Sequence, residues 1–171
     1  MEFQSCFDII GPIMVGPSSS HTAGVVSIGR FVYELLEGCP EEVHILFYDS
    51  FAETYQGHGT DKALLGGLLG MDTDDPHIRY SIELAHERGM NCTFQLEEHC
   101  LYFDHPNTTI VTARRGAAVV RVGGASLGGG LSKLFMIDDE MVDIRLSTSD
   151  DFSIIVEKYR KKKRKVLVRG V

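Results

Sequence analysis

The first periodic segment of the chain predicts an amphipathic helix between residues 20 and 37. Apolar residues recur there at steps of three and four, which is the spacing of one helix face. They are Val25, Ile28, Val32 and Leu35. Gly38 and Pro40 follow directly, and both residue types end helices, so the helix is expected to stop there.

The pattern then changes from helical to strand-like. "EEVHILFYDSF" predicts a buried strand, the Gly-rich "ETYQGHGT" a loop and "DKALLGGLLG" a short helix. Ile78, Ile82 and Ala85 indicate another helix, which ends at Gly89. Five strand-like segments follow: "NCTFQLEEH", "TTIVTARR", "AAVVRVGG", "LSKLFMID" and "MVDIRLS". This order predicts an α+β fold, a two-layer sandwich with helices packed on one face of a mixed or antiparallel sheet.

Composition places the chain among globular proteins. It has 171 residues, of which 43% are apolar and 24% charged, enough for one domain with its own core. No apolar run is long enough to span a membrane, and the N-terminus lacks the basic region of a secretory signal. We therefore expect a cytoplasmic protein with reduced thiols and no membrane partner.

Charge is distributed unevenly along the chain. Residues 158–169 hold eight of the 17 basic residues and no acid, so the remainder has nine basic against 24 acidic residues, a balance of −15. An acidic body disfavours nucleic-acid binding, because contacts to phosphate require positive charge. The basic run is interpreted as a solvated terminus, and no nucleic-acid partner is expected.

The stretch "GPSSSHTAG" concentrates hydroxyl and imidazole groups at the start of the first predicted helix. Five consecutive positions hold Ser18, Ser19, Ser20, His21 and Thr22. One serine is expected to cap the helix, which requires a single hydroxyl. A helix N-terminus also attracts anions through its free N–H groups and its dipole. The stretch therefore favours a carboxylate or phosphate pocket, with a simple capped helix as the alternative.

A second histidine has a similar setting in "QGHGTD". His58 lies between Gly57 and Gly59, which leave its ring sterically free, and Thr60 and Asp61 are placed to cap the next helix. The positive potential of a helix N-terminus favours a neutral imidazole, the form that a general base requires. His58 is thus a candidate base, with a solvated loop histidine as the alternative.

A third polar stretch, "HPNT", precedes a predicted strand. Pro106 and Asn107 are typical of a turn in which the Asn side chain binds nearby backbone. The turn is the first interpretation, and His105 and Asn107 are further candidate ligand contacts.

Four stretches together resemble the β chain of the bacterial iron–sulfur L-serine dehydratases. They are "FDIIGPIMVGPSSSHTAG", "DSFAETYQGHGTDKALLGGLLG", "DHPNT" and "GGASLGGG", and the resemblance runs from about Phe7 to Arg145. It implies a lyase that converts L-serine to pyruvate and ammonia, using a [4Fe-4S] cluster as Lewis acid to the substrate hydroxyl. In that reading His58 removes the α-proton. The implied substrate contacts are Ser18, Ser19, Ser20, His21, Thr22, Gly59, Thr60, Asp61, His105 and Asn107.

The cysteines do not have the spacing of a cluster site. Cys6, Cys39, Cys92 and Cys100 contain no pair close in sequence. In the family that this chain resembles, the cluster belongs to an α portion. We therefore expect no metal ligand in this chain, an α chain as partner, and activity only in its presence.

The end of the chain departs from the resemblance. The family implies a further ligand-binding domain of the ACT type, and "DDFSIIVEKYRKKKRKVLVRGV" begins as its first strand would and then becomes basic. We expect residues 1–150 to form the β-chain domain, and residues 151–171 to be a basic tail, a truncated start of the ACT-like domain.

A second interpretation remains open. The same stretches are similar to the additional serine-metabolism domain of some D-3-phosphoglycerate dehydrogenases, which regulates and does not catalyse. The chain is then a non-catalytic regulatory domain that binds serine or a related hydroxy acid. A base at His58 favours the catalytic subunit, because a binding module has no use for one.

Overall fold

The structure, a computed structural model, describes residues 13–16 and 18–169, with side chains as far as Lys163. Cys6 lies outside the described residues. The strands are β1 (Glu42–Tyr48), β2 (Asn91–Glu97), β3 (Thr108–Arg115), β4 (Ala118–Gly128), β5 (Leu131–Ile137) and β6 (Glu140–Ser147). The helices are α1 (Ala23–Leu35), α2 (Asp49–Thr54), α3 (Thr60–Leu68), α4 (Ser81–Glu87) and α5 (Phe152–Arg169), with a 3₁₀ helix at Pro76–Tyr80.

The six strands form one mixed sheet in the order β2-β1-β3-β4-β5-β6. β1 and β2 pair in parallel, and the other neighbours are antiparallel. Alternate residues of β1 point into the main core, where Ile45 and Phe47 are fully buried. The predicted α+β arrangement, a mixed sheet with helices packed against it, is confirmed.

Helices α1 and α3 touch through glycine. A Cβ atom on Gly67 of α3 would lie 2.3 Å from the carbonyl oxygen of Val26 in α1, and one on Gly29 would lie 2.5 Å from the carbonyl oxygen of Leu64. Such distances leave no room for a side chain, so backbone packs on backbone. Further along both helices, a Cβ on Gly70, just past the end of α3, would lie 3.0 Å from the ring of Tyr33 in α1, so the contacts advance along both helices in the same direction. The starts of α1 and α3 therefore meet at one end of the molecule.

The segment after β1 differs from its prediction. The strand stops at Tyr48, and residues 49–54 form α2. Asp49 makes the change of direction, with a φ of 47°, a region that Asp tolerates better than most residues. Its N–H donates to the carbonyl of Glu98, and its carboxylate binds His99 at 2.7 Å.

The segment after residue 151 also differs from its prediction. The expected strand is a helix, α5, and the prediction of a strand is wrong. Phe152 and Val156 are spaced by four residues, and their side chains are buried in the main core, where α5 packs on α1. The division into a β-chain domain and a truncated ACT-like start stays a prediction. No helix within residues 13–16 and 18–169 is long and apolar enough to cross a membrane.

Candidate functional site

Two histidines meet where α1 and α3 begin. The ring centroids of His21 and His58 are 4.5 Å apart, with the rings inclined at 66°. His21 comes two residues before α1, and His58 two residues before α3. The parallel packing of these helices at Gly29 and Gly67 therefore brings the "SSSHT" and "GHGTD" stretches into one site.

His21 is held through both ring nitrogens. Its Nδ1 lies 3.2 Å from the hydroxyl of Ser18 and 3.1 Å from that of Ser20, and these hydroxyls are 3.1 Å apart. Its Nε2 lies 3.4 Å from the hydroxyl of Ser50, and the edge of Phe51 packs against the ring. A neutral imidazole has one donor and one acceptor nitrogen, and hydroxyls can serve both. These contacts fix the orientation of the ring.

The surroundings of His21 favour its neutral form. Burial lowers the pKa of His21, and the facing His58 lowers it further. A proton on this ring would be poorly solvated and would lie beside a second imidazole. His21 therefore suits a role as a neutral hydrogen-bonding group.

The loop around His58 positions its ring without a hydrogen bond to it from the described residues. Its backbone N–H donates to the carbonyl of Thr54, and Gly59 then turns the chain into α3 with a φ of 69°. The Nδ1 atom is buried and has no hydrogen-bond partner within the described residues. A Cβ on Gly59 would meet nothing within 4 Å, so the space above the loop is free. The ring as a whole is half-buried, and the unpartnered Nδ1 lies on its buried side.

The expected serine cap of α1 is wrong. Thr22 takes the N-cap position without a side-chain cap bond, and its hydroxyl donates to the carbonyl of Ser18. The hydroxyls of Ser18 and Ser20 bind the ring of His21, a contact across neighbouring residues that competes with capping.

The expected side-chain cap of α3 is also wrong. Gly59 is the N-cap, because its left-handed backbone turns the chain at this point. The Asp61 carboxylate accepts the N–H of Lys62 at 2.8 Å, and burial raises the pKa of Asp61. Thr60 is fully buried, and its hydroxyl lacks a partner within the described residues. The start of α1 has no side-chain cap and no acidic residue in its first turn, which suits a negatively charged ligand, whereas at the start of α3 Asp61 already binds one free N–H.

The "HPNT" stretch forms a turn, as first interpreted, but a different side chain makes it. The N–H of Asn107 donates to Nδ1 of His105 at 3.2 Å, and the hydroxyl of Thr108 donates to the carbonyl of His105 at 2.6 Å. The N–H of Phe51 reaches the carbonyl of Pro106 at 3.4 Å, which ties the turn to α2. Among the described residues, no hydrogen bond or ring contact joins His105 or Asn107 to the histidine pair. Burial lowers the pKa of His105.

Two residues of the site were missed by the sequence reasoning. Ser50 and Phe51 both contact His21, and both lie in α2. The apolar pattern of "HILFYDSF" fits a strand as well as a strand followed by a helix. In a continued strand these side chains would point to opposite faces, so the pattern gave no signal for their shared contact.

The described cysteines do not suit an iron–sulfur cluster. Cys39 and Cys92 are half-buried and Cys100 is buried, all as free thiols. Burial raises the pKa of Cys92 to about 11, so its thiolate form is disfavoured. Within residues 13–16 and 18–169, no three His, Cys, Asp or Glu side chains lie together as a metal site. A [4Fe-4S] cluster needs converging thiolates, and this donor set does not fit one.

The fold and the site define an α+β domain with a hydroxyl–imidazole cluster where two helices begin. The family model for the serine dehydratase beta chain matches residues 5–131. The chain is 42% identical to the probable L-serine dehydratase beta chain of Bacillus subtilis (strain 168), over 91% of this chain and 69% of that protein. It is 38% identical to the L-serine dehydratase beta chain of Peptoniphilus asaccharolyticus, over 91% of this chain and 68% of that protein. The chain belongs to the serine dehydratase beta chain family, and the resemblance stated from its motifs is confirmed.

The match extends to longer relatives. The L-serine dehydratase of Helicobacter pylori (strain ATCC 700392 / 26695) is 36% identical over 57% of this chain, which is 22% of that protein. The shared part is thus a small fraction of a larger polypeptide in that relative.

Proposed function

We propose that this chain is the β subunit of a [4Fe-4S]-dependent L-serine ammonia-lyase, which converts L-serine to pyruvate and ammonia. The observation that carries the proposal is the open His58 beside the hydroxyl cluster of His21, 4.5 Å away between ring centroids. Family membership supports the reaction, and the relatives named as beta chains support an α chain as partner.

The substrate carboxylate binds at the start of α1. Ser18 and Ser20 already bind His21, whereas the Ser19 hydroxyl makes no side-chain hydrogen bond within the described residues. Ser19 is therefore the hydroxyl that is available to a carboxylate, and the positive end of the α1 dipole adds to the attraction. The remaining contacts are proposed for the α3 start, at Gly59, Thr60 and Asp61, with the turn of His105 and Asn107 as a more distant wall.

His58 removes the α-proton of the bound substrate. A general base must be unprotonated and reach its proton directly or through one water. No hydrogen bond occupies the His58 ring within the described residues. The pKa of its neighbour His21 is lowered, which favours a neutral ring there, so an imidazolium formed at His58 would face a neutral imidazole instead of a second cation.

The cluster belongs to the α chain in this proposal. It would supply a Lewis-acidic iron for the substrate hydroxyl. The β chain then contributes orientation and the proton acceptor, and the complete site requires both chains. The non-catalytic regulatory module, which would bind serine or a related hydroxy acid, is the alternative that the following experiment separates.

The test is anaerobic co-purification with the candidate α chain and an assay of pyruvate formed from L-serine. We expect no activity and no stoichiometric iron in the isolated β chain. In the complex, His58→Ala should lower kcat by about 10²–10⁴-fold with little change in KM, because it removes a transition-state proton acceptor. Ser19→Ala should raise KM by about tenfold, the loss of one hydrogen bond to a charged group. His77→Ala, at an exposed histidine of the 3₁₀ helix, is the control and should change neither.

Specific results would contradict each part. Serine binding by an isolated chain that forms no active complex would favour the regulatory module. A His58→Ala complex that keeps its kcat but binds serine weakly would remove the base from the mechanism. An isolated chain that holds about four irons on its own thiols would overturn the assignment of the cluster to the partner.

A further inference from the structure

Helix α2 holds a serine against the ring of His21. The hydroxyl of Ser50 lies 3.4 Å from Nε2 of His21 and is the only hydrogen-bond partner of that nitrogen among the described residues. The edge of Phe51, the next residue, packs on the same ring at 5.3 Å between centroids. Nδ1 of His21 meets the hydroxyls of Ser18 and Ser20 instead. The two ring nitrogens are therefore bound by different segments of the chain.

The fold itself fixes the position of Ser50. Its carbonyl accepts the hydroxyl of Thr54 at 2.6 Å. The N–H of Phe51 reaches the carbonyl of Pro106 at 3.4 Å, and the Phe51 side chain is fully buried in the main core. The backbone around Ser50 is thus tied to α2, to the "HPNT" turn and to the core, so its hydroxyl stays near Nε2 of His21.

The two serine hydroxyls at Nδ1 form a triangle with this nitrogen. The oxygens of Ser18 and Ser20 are 3.1 Å apart and lie 3.2 and 3.1 Å from Nδ1 of His21. Neither hydroxyl has a further hydrogen bond to the described residues. If Nδ1 accepts, one hydroxyl donates to it and the other donates to the first hydroxyl, so both hydrogens have acceptors. If Nδ1 carries the proton, it offers no lone pair, and one serine hydrogen has no acceptor in the triangle.

The number of acceptors in the triangle decides which nitrogen of His21 is protonated. Ser18 and Ser20 are half-buried, where a hydroxyl hydrogen without an acceptor costs free energy. Nδ1 is therefore the acceptor, and a neutral ring then has its proton on Nε2. Burial and the facing His58 lower the pKa of His21, which favours the neutral ring. Ser50 is left as the acceptor for the Nε2–H group.

We propose that Ser50 is a positioning residue for the reaction, because it accepts the Nε2–H of His21 and so holds that ring in the tautomer whose Nδ1 accepts from the serine hydroxyls. The hydrogen bond is a property of this chain alone. Its link to catalysis rests on the proposed function.

This tautomer assigns different tasks to the groups around it. The lone pair of Nδ1 is used by a serine hydroxyl and Nε2 carries a proton, so His21 has no free lone pair with which to take the α-proton. His58 is then left as the base. The hydrogens of Ser18 and Ser20 are both used within the triangle, which leaves the Ser19 hydroxyl for the substrate carboxylate.

Nuclear magnetic resonance of the full chain, without a partner, reads the tautomer directly. In ¹⁵N-labelled protein, a protonated ring nitrogen and one with a lone pair resonate far apart, and long-range ¹H–¹⁵N correlations distinguish Nδ1 from Nε2. The signals of His21 are those that disappear in His21→Asn. At a pH above 6.5, the ordinary histidine value, we expect Nε2 of His21 to be protonated and Nδ1 to be unprotonated.

Substitutions at residue 50 test whether Ser50 is the cause. Ser50→Ala removes the acceptor, so both ring nitrogens of His21 should shift towards the values of a mixture of the two tautomers. Ser50→Thr keeps a hydroxyl and should keep the wild-type pattern. Ser149→Ala is the matched control, the same change at an exposed serine after β6, and should leave the pattern unchanged. Amide ¹H–¹⁵N spectra check that each variant stays folded.

Activity in the complex with the candidate α chain tests the link to the reaction. Ser50→Ala should lower kcat for pyruvate formation by about two- to tenfold, the equivalent of one neutral hydrogen bond. The change in KM should be smaller, because Ser50 acts through His21. Ser50→Thr should keep most of the wild-type kcat. An inactive wild-type complex would contradict the proposed function, whereas the tautomer would still be decided by the spectra.

Three results would overturn the proposal. The first is a wild-type His21 with its proton on Nδ1. The second is a Ser50→Ala spectrum in which the His21 nitrogens do not move, or move no more than in Ser149→Ala. The third is an unchanged kcat in the Ser50→Ala complex although the tautomer has altered, which would make the hydrogen bond irrelevant to the reaction.

Discussion

The surroundings of three histidines near the site shift their pKa values in different directions. Burial lowers the pKa of His21, with His58 adding to the effect, and burial lowers that of His105. His99 is exposed and binds the carboxylate of Asp49, which raises the pKa of His99. Acid should therefore act on these side chains in opposite directions.

We expect His21 to destabilise the protein as the pH falls. Its pKa in the folded chain lies below the ordinary value of 6.5, so the unfolded chain binds the proton first and acid favours unfolding. The contribution of His21 is intact above pH 6.5 and is lost as the pH falls towards the folded pKa. The free energy of unfolding of the wild type minus that of His21→Asn should therefore shrink between about pH 7 and pH 5. Denaturant unfolding at several pH values measures it.

His99→Asn is the control of opposite sign. The raised pKa of His99 means that its contribution is complete below 6.5 and is lost as the pH rises through the folded pKa. The wild-type advantage over His99→Asn should therefore grow on acidification. If the free energy of unfolding of the wild type minus that of His21→Asn also grew on acidification, the His21 ring would not be held in the neutral form.

Part of the site follows from the sequence at the level of single residues. Hydroxyls and histidines at the starts of two helices predicted a shared site, and the structure places His58 beside His21. Their binding and catalytic roles stay predictions. The serine cap was wrong because Ser18 and Ser20 bind the His21 ring instead of the helix N–H groups. Such a choice between two short-range partners depends on the tertiary position of the ring.

At the scale of elements, the packing of α1 on α3 sets the distance between the two histidines. The backbones touch at Gly29 and Gly67. In the same helix as Gly67, Gly66 faces only a side chain, since a Cβ there would lie 3.0 Å from Ile78. Gly66 and Gly67 are therefore a matched pair of sites for comparing the same substitution against a side chain and against a backbone.

We expect Gly67→Ala to destabilise the protein and Gly66→Ala to be nearly neutral. A Cβ at residue 67 forces two backbones apart, which costs about 1–3 kcal/mol in a packed core, and the better helix propensity of Ala returns up to about 1 kcal/mol. At residue 66 the side chain of Ile78 can shift, and the same gain in propensity applies. Urea unfolding of both variants gives the comparison. Equal stabilities would mean that the helices separate at little cost.

The sequence predicted some elements better than others for a physical reason. The large apolar residues of α1 recur at helical spacing over three turns, so their period was readable and the helix is confirmed, although residues 23–29 are buried on every side. In "FSIIVE", apolar and β-branched residues crowd together as in a strand, yet Phe152 and Val156 are buried in the core, Ile155 packs partly against it and Ile154 is exposed. The docking of α5 on α1 selects the helix, and that tertiary contact is not visible in a short window.

At the scale of the whole molecule, α5 joins the basic end of the chain to the acidic body. Its first turns supply buried side chains, with Phe152 4% and Val156 3% exposed. Its later turns supply surface contacts, among them those of Arg160 with the carbonyl of Leu35 and with the carboxylate of Glu37. The helix thus changes from core element to surface element near Lys158.

We expect two truncations to separate these parts. Ending the chain at Glu157 removes the half-buried Tyr159 and surface ion pairs, which are each worth about 0–1 kcal/mol, so the Tm should fall by only about a few degrees. Ending it at Asp151 also removes Phe152 and Val156 from the core. Loss of the buried Phe152 side chain alone costs about 3–5 kcal/mol, which for a domain of this size lowers the Tm by about 10 °C or more.

Point variants in the full chain keep this comparison independent of chain length. Phe152→Ala should reproduce most of the loss seen in the shorter truncation, because it leaves a cavity against α1. Ile154→Ala is the control, since that side chain is 49% exposed and lies on the outer face of the same helix. Calorimetry at low and high salt distinguishes the core contribution, which salt leaves in place, from the ion pairs, which salt screens. A Phe152→Ala variant as stable as Ile154→Ala, or a large loss on ending the chain at Glu157, would place the contribution of α5 in its basic half and contradict the division at Lys158.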